Sequence, residues 1–137
     1  MQTEQRVEVK KRNNDTKILM VVGDDPDILS IVKKSRESDV KIKLYGFTSP
    51  ADAVQEFAIN SQDYDAVISE IRMPKMNGFE FARQILQINP NTKVFLITVF
   101  EVNMKEFSIV FPSLKVRGII SKPFSPSELK NLILKYL

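Results

Sequence analysis

The chain has 137 residues, 43% hydrophobic and 27% charged, with twenty Lys and Arg against seventeen Asp and Glu, enough for one domain that buries a core without a covalent or metal staple. Cysteine and histidine are both absent, which excludes disulfides, thiolate nucleophiles and zinc or other transition-metal centres and leaves only a hard cation on oxygen ligands. The net charge of +3 is small and evenly spread, a poor case for nucleic acid; no apolar run approaches a bilayer span, and the charged start lacks a signal peptide's apolar stretch, so a cytoplasmic protein is expected.

Residues 1–16 hold Arg6, Lys10, Lys11 and Arg12 against Glu4, Glu8 and Asp15, a polar composition expected of a flexible leader. From 17 to 137 short apolar runs alternate with amphipathic stretches, the pattern of one domain. Ile18 to Val22 reads as a buried strand, closed by Gly23 and an Asp/Pro cluster. Ile28, Leu29 and Val32 mark a short helix, and Val40 to Tyr45 alternates as a half-buried strand does. Ser49-Pro50 is an N-cap followed by proline at the first helical position, with Ala53, Val54, Phe57 and Ala58 as the inward stripe.

Ala66 to Ile68 is the third strand. Asn77-Gly78 opens a helix with Phe81, Ile85 and Ile88 inward, stopped by Asn89-Pro90. Val94 to Ile97 is the fourth strand, and residues 101–116 are irregular, with Pro112 interrupting a helical pattern. Gly118 to Ile120 is the fifth strand. Ser125-Pro126-Ser127-Glu128 then caps a last helix with Leu129, Leu132, Ile133 and Tyr136 inward. Strands alternating with helices predict an α/β fold, a parallel sheet covered on both faces. Ligands of such folds sit beyond the carboxyl ends of the strands, which directs attention to Gly23-Asp24-Asp25, Glu70, Thr98 and Lys122. Acids, a hydroxyl and an ammonium at one sheet edge suit phosphoryl transfer.

The segments KILMVVGDDPDIL, DAVISEIRMPKMNGFE, VFLIT and IISKPFSPSEL, in this order and at nearly the usual spacing, resemble the receiver domain of two-component response regulators over residues 17–137. The resemblance implies a flavodoxin-like (βα)5 fold of five parallel strands with five helices. It also implies self-catalysed phosphotransfer from a histidine kinase to an aspartate, assisted by Mg²⁺. Carried over position by position, the phosphoacceptor falls on Glu70, the first residue of the acidic pair on Gly23, and the second, a direct metal ligand, on Asp24. The phosphoryl-contacting hydroxyl is Thr98 and the pairing lysine is Lys122, followed by Pro123. The residue whose carbonyl faces the metal is Arg72, and the switch aromatic falls on Ile119, which has no ring to swing. Singly, Asp24 would be a helix cap, Thr98 a strand-end hydroxyl and Lys122 a solvated charge. The shared register of four segments assigns them, with Glu70, to a pocket, but leaves Asp25 and Asp27 as capping residues and Met73, Met76 and Phe79 as packing.

Glutamate in place of aspartate moves the carboxylate outward by about 1.5 Å, and a displacement of about 1 Å can cost a hundredfold in rate. Gly23 removes a second carboxylate. The longer acid reaches toward Lys122 and Thr98, a built-in mimic of a phosphoryl group with about one negative charge instead of nearly two, and Arg72 adds a cation in place of Mg²⁺. The expectation is a non-enzymatic, phosphorylation-independent pseudo-receiver, a stand-alone interaction module of signal transduction. Weak Mg²⁺ binding through Asp24 and Glu70 is expected, and no other cofactor. The alternative is a competent receiver that uses Mg²⁺ and an acyl-phosphate acceptor. Expected partners are a histidine kinase or a separate output protein, with homodimerisation through the fourth helix, fifth strand and fifth helix. Residues 101–116, rich in apolar side chains, are the expected contact surface. Neither a membrane nor nucleic acid is expected as a partner.

Overall fold

The computed structural model describes residues 16–23, 42–99, 109 and 114–136. The expected leader, the helix on Ile28, Leu29 and Val32, Asp24, and most of 101–116 lie outside these residues. The elements are β1 (Lys17–Val22), β2 (Ile42–Phe47), α1 (Pro50–Asn60), a 3-10 turn (Ser61–Asp63), β3 (Ala66–Glu70), α2 (Gly78–Ile88), β4 (Lys93–Thr98), β5 (Gly118–Ser121) and α3 (Pro126–Tyr136). All strand pairings are parallel, in the order β2-β1-β3-β4-β5. This is the parallel sheet that the alternation of elements implied, in the flavodoxin-like form that the resemblance to receiver domains implied.

The central strands are apolar without a break because both of their faces are covered. Ile18, Met20, Val22, Val67, Val94 and Leu96 face Ala53, Phe57, Phe81, Ala82 and Ile85 from α1 and α2. Leu19, Val21, Ile68, Phe95, Ile97 and Ile120 form the opposite cluster with Leu129, and Leu132 packs against it. Edge strand β2 is only half-buried up to Phe47, two residues past the expected end at Tyr45.

Helix starts follow the predicted caps. Ser49 Oγ accepts the amide of Asp52 at 3.2 Å, and Asn77 Oδ1 that of Glu80 at 2.9 Å. At α3, Ser125 Oγ accepts the Glu128 amide at 3.1 Å while the Glu128 carboxylate accepts the Ser125 amide at 2.8 Å, a reciprocal capping box.

Two inward assignments need correction. Ala58 is exposed and Glu56 is buried in its stead, because the hydroxyl of Tyr64 donates to Glu56 at 2.7 Å and the amide of Asn60 at 3.1 Å. That satisfied carboxylate turns the buried face of α1 toward Ala53, Glu56 and Phe57. Ile88 is 37% exposed, since it is the last residue of α2 and the buried stripe ends at Ile85. Leu129 and Leu132 are inward as expected; the side chains of Ile133 and Tyr136 lie outside the description.

Candidate functional site

β1 and β3 are neighbours although β2 intervenes in sequence, so strand order reverses between them and leaves a crevice at their carboxyl ends. The register fills that edge in sequence. Val22 stands opposite Ser69, Glu70 opposite Ile97, and Thr98 opposite Ser121, which places Gly23, Glu70, Thr98 and Lys122 side by side. Backbone bonds fix the exits from the strands. Gly23 N donates to Phe47 O at 2.9 Å, Ile71 N to Ile97 O at 2.9 Å, and Lys122 N to Thr98 O at 2.8 Å.

The Nζ of Lys122 donates to Glu70 Oε1 at 2.8 Å, with both side chains only 10% exposed. A charge-assisted hydrogen bond with so little water around it is far less screened than a surface pair. Glu70 Oε2 lies beside Gly23, where a Cβ built on the glycine would come within 2.5 Å of it. Gly23 has φ +151, a conformation in which side chains other than glycine's are strained. The glutamate therefore reaches Lys122 with one oxygen and fills the space of an absent side chain with the other.

The loop after β3 is built against the same corner. Gly78 N donates to Ile71 O at 2.7 Å, and a Cβ at Gly78 would lie 2.3 Å from the carbonyl oxygen of Glu70. Only glycine allows α2 to start this close to the acceptor position. Met73, Met76 and Phe79 pack against the core as expected, and Ser69 Oγ lies 3.8 Å from Met73 Sδ.

Of the predicted pocket residues, Glu70 and Lys122 meet directly, Gly23 and Glu70 are in contact distance, and Thr98 is buried at the end of β4. Ile119 is half-buried against the α1/α2 side of the core. Arg72 is exposed. Asp24 lies outside the described residues, and with it half of the expected carboxylate pair for a metal. Among the described residues of this corner, Gly23 supplies no side-chain oxygen and the carboxylate of Glu70 is engaged by an ammonium. Sequence reasoning did not find the steric match of Gly23 to Glu70 or the close approach at Gly78. The signal for the first was the joint departure of two positions, read there as two separate losses.

Residues 19–134 match the response regulator receiver domain family. The response regulator receiver protein CpdR of Brucella abortus (strain 2308) is 30% identical over 121 residues, covering 88% of this chain and 97% of CpdR. The putative two-component response regulator ARR21 of Arabidopsis thaliana is 30% identical over 114 residues, 83% of this chain but 18% of that protein. The chain thus spans less than a third of some curated relatives and nearly the whole of another. Chemotaxis protein CheY4 of Vibrio cholerae shares the fold, with TM-score 0.74 at 21% identity over 89% of this chain and 99% of CheY4. So does the receiver domain of sensor histidine kinase PA1611 of Pseudomonas aeruginosa PAO1, with TM-score 0.70 at 17% identity over 88% of this chain and 97% of that one. That structure has a magnesium ion coordinated in its active site cleft. Among the described residues no helix is long and apolar enough to cross a membrane.

Proposed function

Because the chain belongs to the response regulator receiver domain family, we propose that it is a pseudo-receiver, a non-enzymatic signalling module whose contacts with its partners do not wait on phosphorylation. The observation that carries this reading is the 2.8 Å pair of Glu70 and Lys122. The lysine that would neutralise an incoming phosphoryl group already holds an anion, and that anion comes from the acceptor position itself. A phosphodonor would have to break a buried charge pair before it could be attacked, and the attacking oxygen is displaced from the place an aspartate would give it. The partners of such a module are a histidine kinase or a separate output protein, bound in the state that the pair holds, with a second copy of the chain as a further partner. Mg²⁺ binds weakly, since the ammonium of Lys122 competes for the Glu70 carboxylate.

Incubation with an acyl-phosphate donor and Mg²⁺, followed by intact-mass measurement, tests this. The expected result is an unchanged mass. A gain of about 80 Da, one phosphoryl group, that disappears in Glu70→Gln would overturn the reading. Titration with Mg²⁺ followed through backbone amide shifts should show no saturation at Glu70 below about 1 mM.

A further inference from the structure

Among the described residues, cations that are far apart in sequence meet on one edge of the sheet. Lys17 opens β1, Lys43 is the second residue of β2, Lys93 opens β4, and Lys115 and Arg117 lead into β5. The amide of Arg117 donates to Val94 O at 2.7 Å, which fixes it at the base of the sheet. These five cations, drawn from positions 17 to 117, line the N-terminal edge, opposite the Glu70–Lys122 site. Lys43, Lys115 and Arg117 are exposed; Lys17 and Lys93 are half-buried, their stems covered and their ammonium groups at the end of a long chain.

Of the described acids at this edge, Asp63 is buried and Asp65 is half-buried, its Oδ2 accepting the amide of Ile18 at 2.8 Å. Because α1 and α2 run antiparallel to the strands, they also end here, and each leaves an isoleucine in water: Ile59 is 78% exposed and Ile88 is 37% exposed.

We infer that this edge is a docking surface for an extended, acidic segment of a protein partner that carries aliphatic residues between its acids. Charge complementarity selects the acids. The row runs from edge strand β2 to edge strand β5, four strand spacings or roughly 19 Å, which an extended segment spans in about six residues. Ile59 and Ile88 select against a polyphosphate chain, which has no aliphatic group to bury against them. Single-stranded nucleic acid adds base stacking on aromatic rings to its phosphate contacts, and Tyr64, at this edge, is buried with its hydroxyl on Glu56. The inference is independent of how Glu70 behaves, because it concerns the opposite end of the sheet.

The probe is a capped octapeptide of alternating Glu and Leu, titrated into the full chain and followed through amide shifts. Saturable shifts are expected at Lys17, Lys43, Lys93 and Arg117, weakened at least tenfold as salt rises from about 50 to about 300 mM, where the screening length shrinks from about 14 to about 6 Å. The double variant Lys43→Glu with Arg117→Glu should weaken binding at least tenfold, and Lys75→Glu, on the exposed loop at the other end, should not. If the reversed-charge variant does not fold, Lys43→Gln with Arg117→Gln replaces it with the same expected direction. Shifts that map to the Glu70 end, binding that ignores salt, or equal or tighter binding of a single-stranded oligonucleotide or of anionic phospholipid vesicles would each overturn the inference.

Discussion

The carboxylate of Glu70 stands over the backbone of Gly23: a Cβ on the glycine would lie 2.5 Å from Glu70 Oε2, 2.8 Å from Cγ and 3.0 Å from Cδ. The two departures from the receiver pattern are therefore one feature. A longer acid at the end of β3 needs room at the end of β1, and glycine at 23 provides it, together with φ +151. With its other oxygen on Lys122, the glutamate joins the exits of three strands, β1, β3 and β5.

Gly23→Ala should lower stability by about 1–3 kcal/mol for the backbone strain of a side chain at that φ, with a further loss as the new Cβ pushes Glu70 away from Lys122. In a Glu70→Ala background only the backbone part should remain. A double-mutant cycle from urea unfolding should therefore give a coupling of about 1 kcal/mol. Additive energies would show that Glu70 does not use this space.

Lys122→Met should be the costlier way to break the pair, by about 3 kcal/mol, because it strands a carboxylate that is only 10% exposed without a counter-charge. Glu70→Gln should cost less than Lys122→Met, and Glu70→Leu combined with Lys122→Met should recover most of the loss, since two apolar groups leave nothing unpaired. By contrast, Arg83→Ala, which removes the exposed pair to Glu80, should leave the urea midpoint nearly unchanged.

A pH-dependent contribution sits at the start of α3. The Ser125 amide, and then its hydroxyl, hold the Glu128 carboxyl below its ordinary value. A carboxyl lowered on folding adds stability that is present above its unfolded value and lost as pH falls through its folded one. Wild type should thus melt above Glu128→Gln at neutral pH, and the gap should close as pH falls through and below the ordinary carboxylate range. A gap that stays constant over that range would mean that the capping box does not depend on the charge.

Strand runs and caps were legible because each is set locally: Ile18 to Val22 is apolar without a break, and Ser49, Asn77 and Ser125 precede the helices that their side chains cap. The pairing of Glu70 with Lys122 was legible through the resemblance to receiver domains, which puts an acid and a lysine at the carboxyl ends of β3 and β5, although β4 lies between those strands. What was not legible depends on three-dimensional adjacency at the scale of single atoms. Nothing in the sequence says that Glu56 will be buried by Tyr64 from eight residues away, or that five cations between 17 and 117 will gather on one edge. The fit of Glu70 over Gly23 belongs to the same class, since a missing side chain leaves no mark in a pattern of apolar and polar residues.

The double change Gly23→Asp with Glu70→Asp should make the chain take a phosphoryl group from an acyl-phosphate donor in the presence of Mg²⁺. Shortening residue 70 returns the carboxylate to the acceptor's place and releases Lys122 to receive the phosphoryl oxygens, while the acid at 23 replaces the one missing from the pocket. The contact of residue 23 with Glu70 orders the variants. Gly23→Asp alone forces a side chain against the glutamate at 2.5 Å and should be the least stable and unreactive. Glu70→Asp alone clears that space and should fold well but react slowly, for want of the second acid. The double variant keeps the strain of a side chain at φ +151 unless the β1 exit relaxes, so it should be less stable than Glu70→Asp and yet the most reactive, the two effects on rate being more than additive. Mass uptake and urea midpoints, measured on all three variants with the same donor, check both orders at once. A folded double variant that stays unphosphorylated would show that exposed neighbours such as Val99, at 61%, or Arg72 close the pocket independently of Glu70.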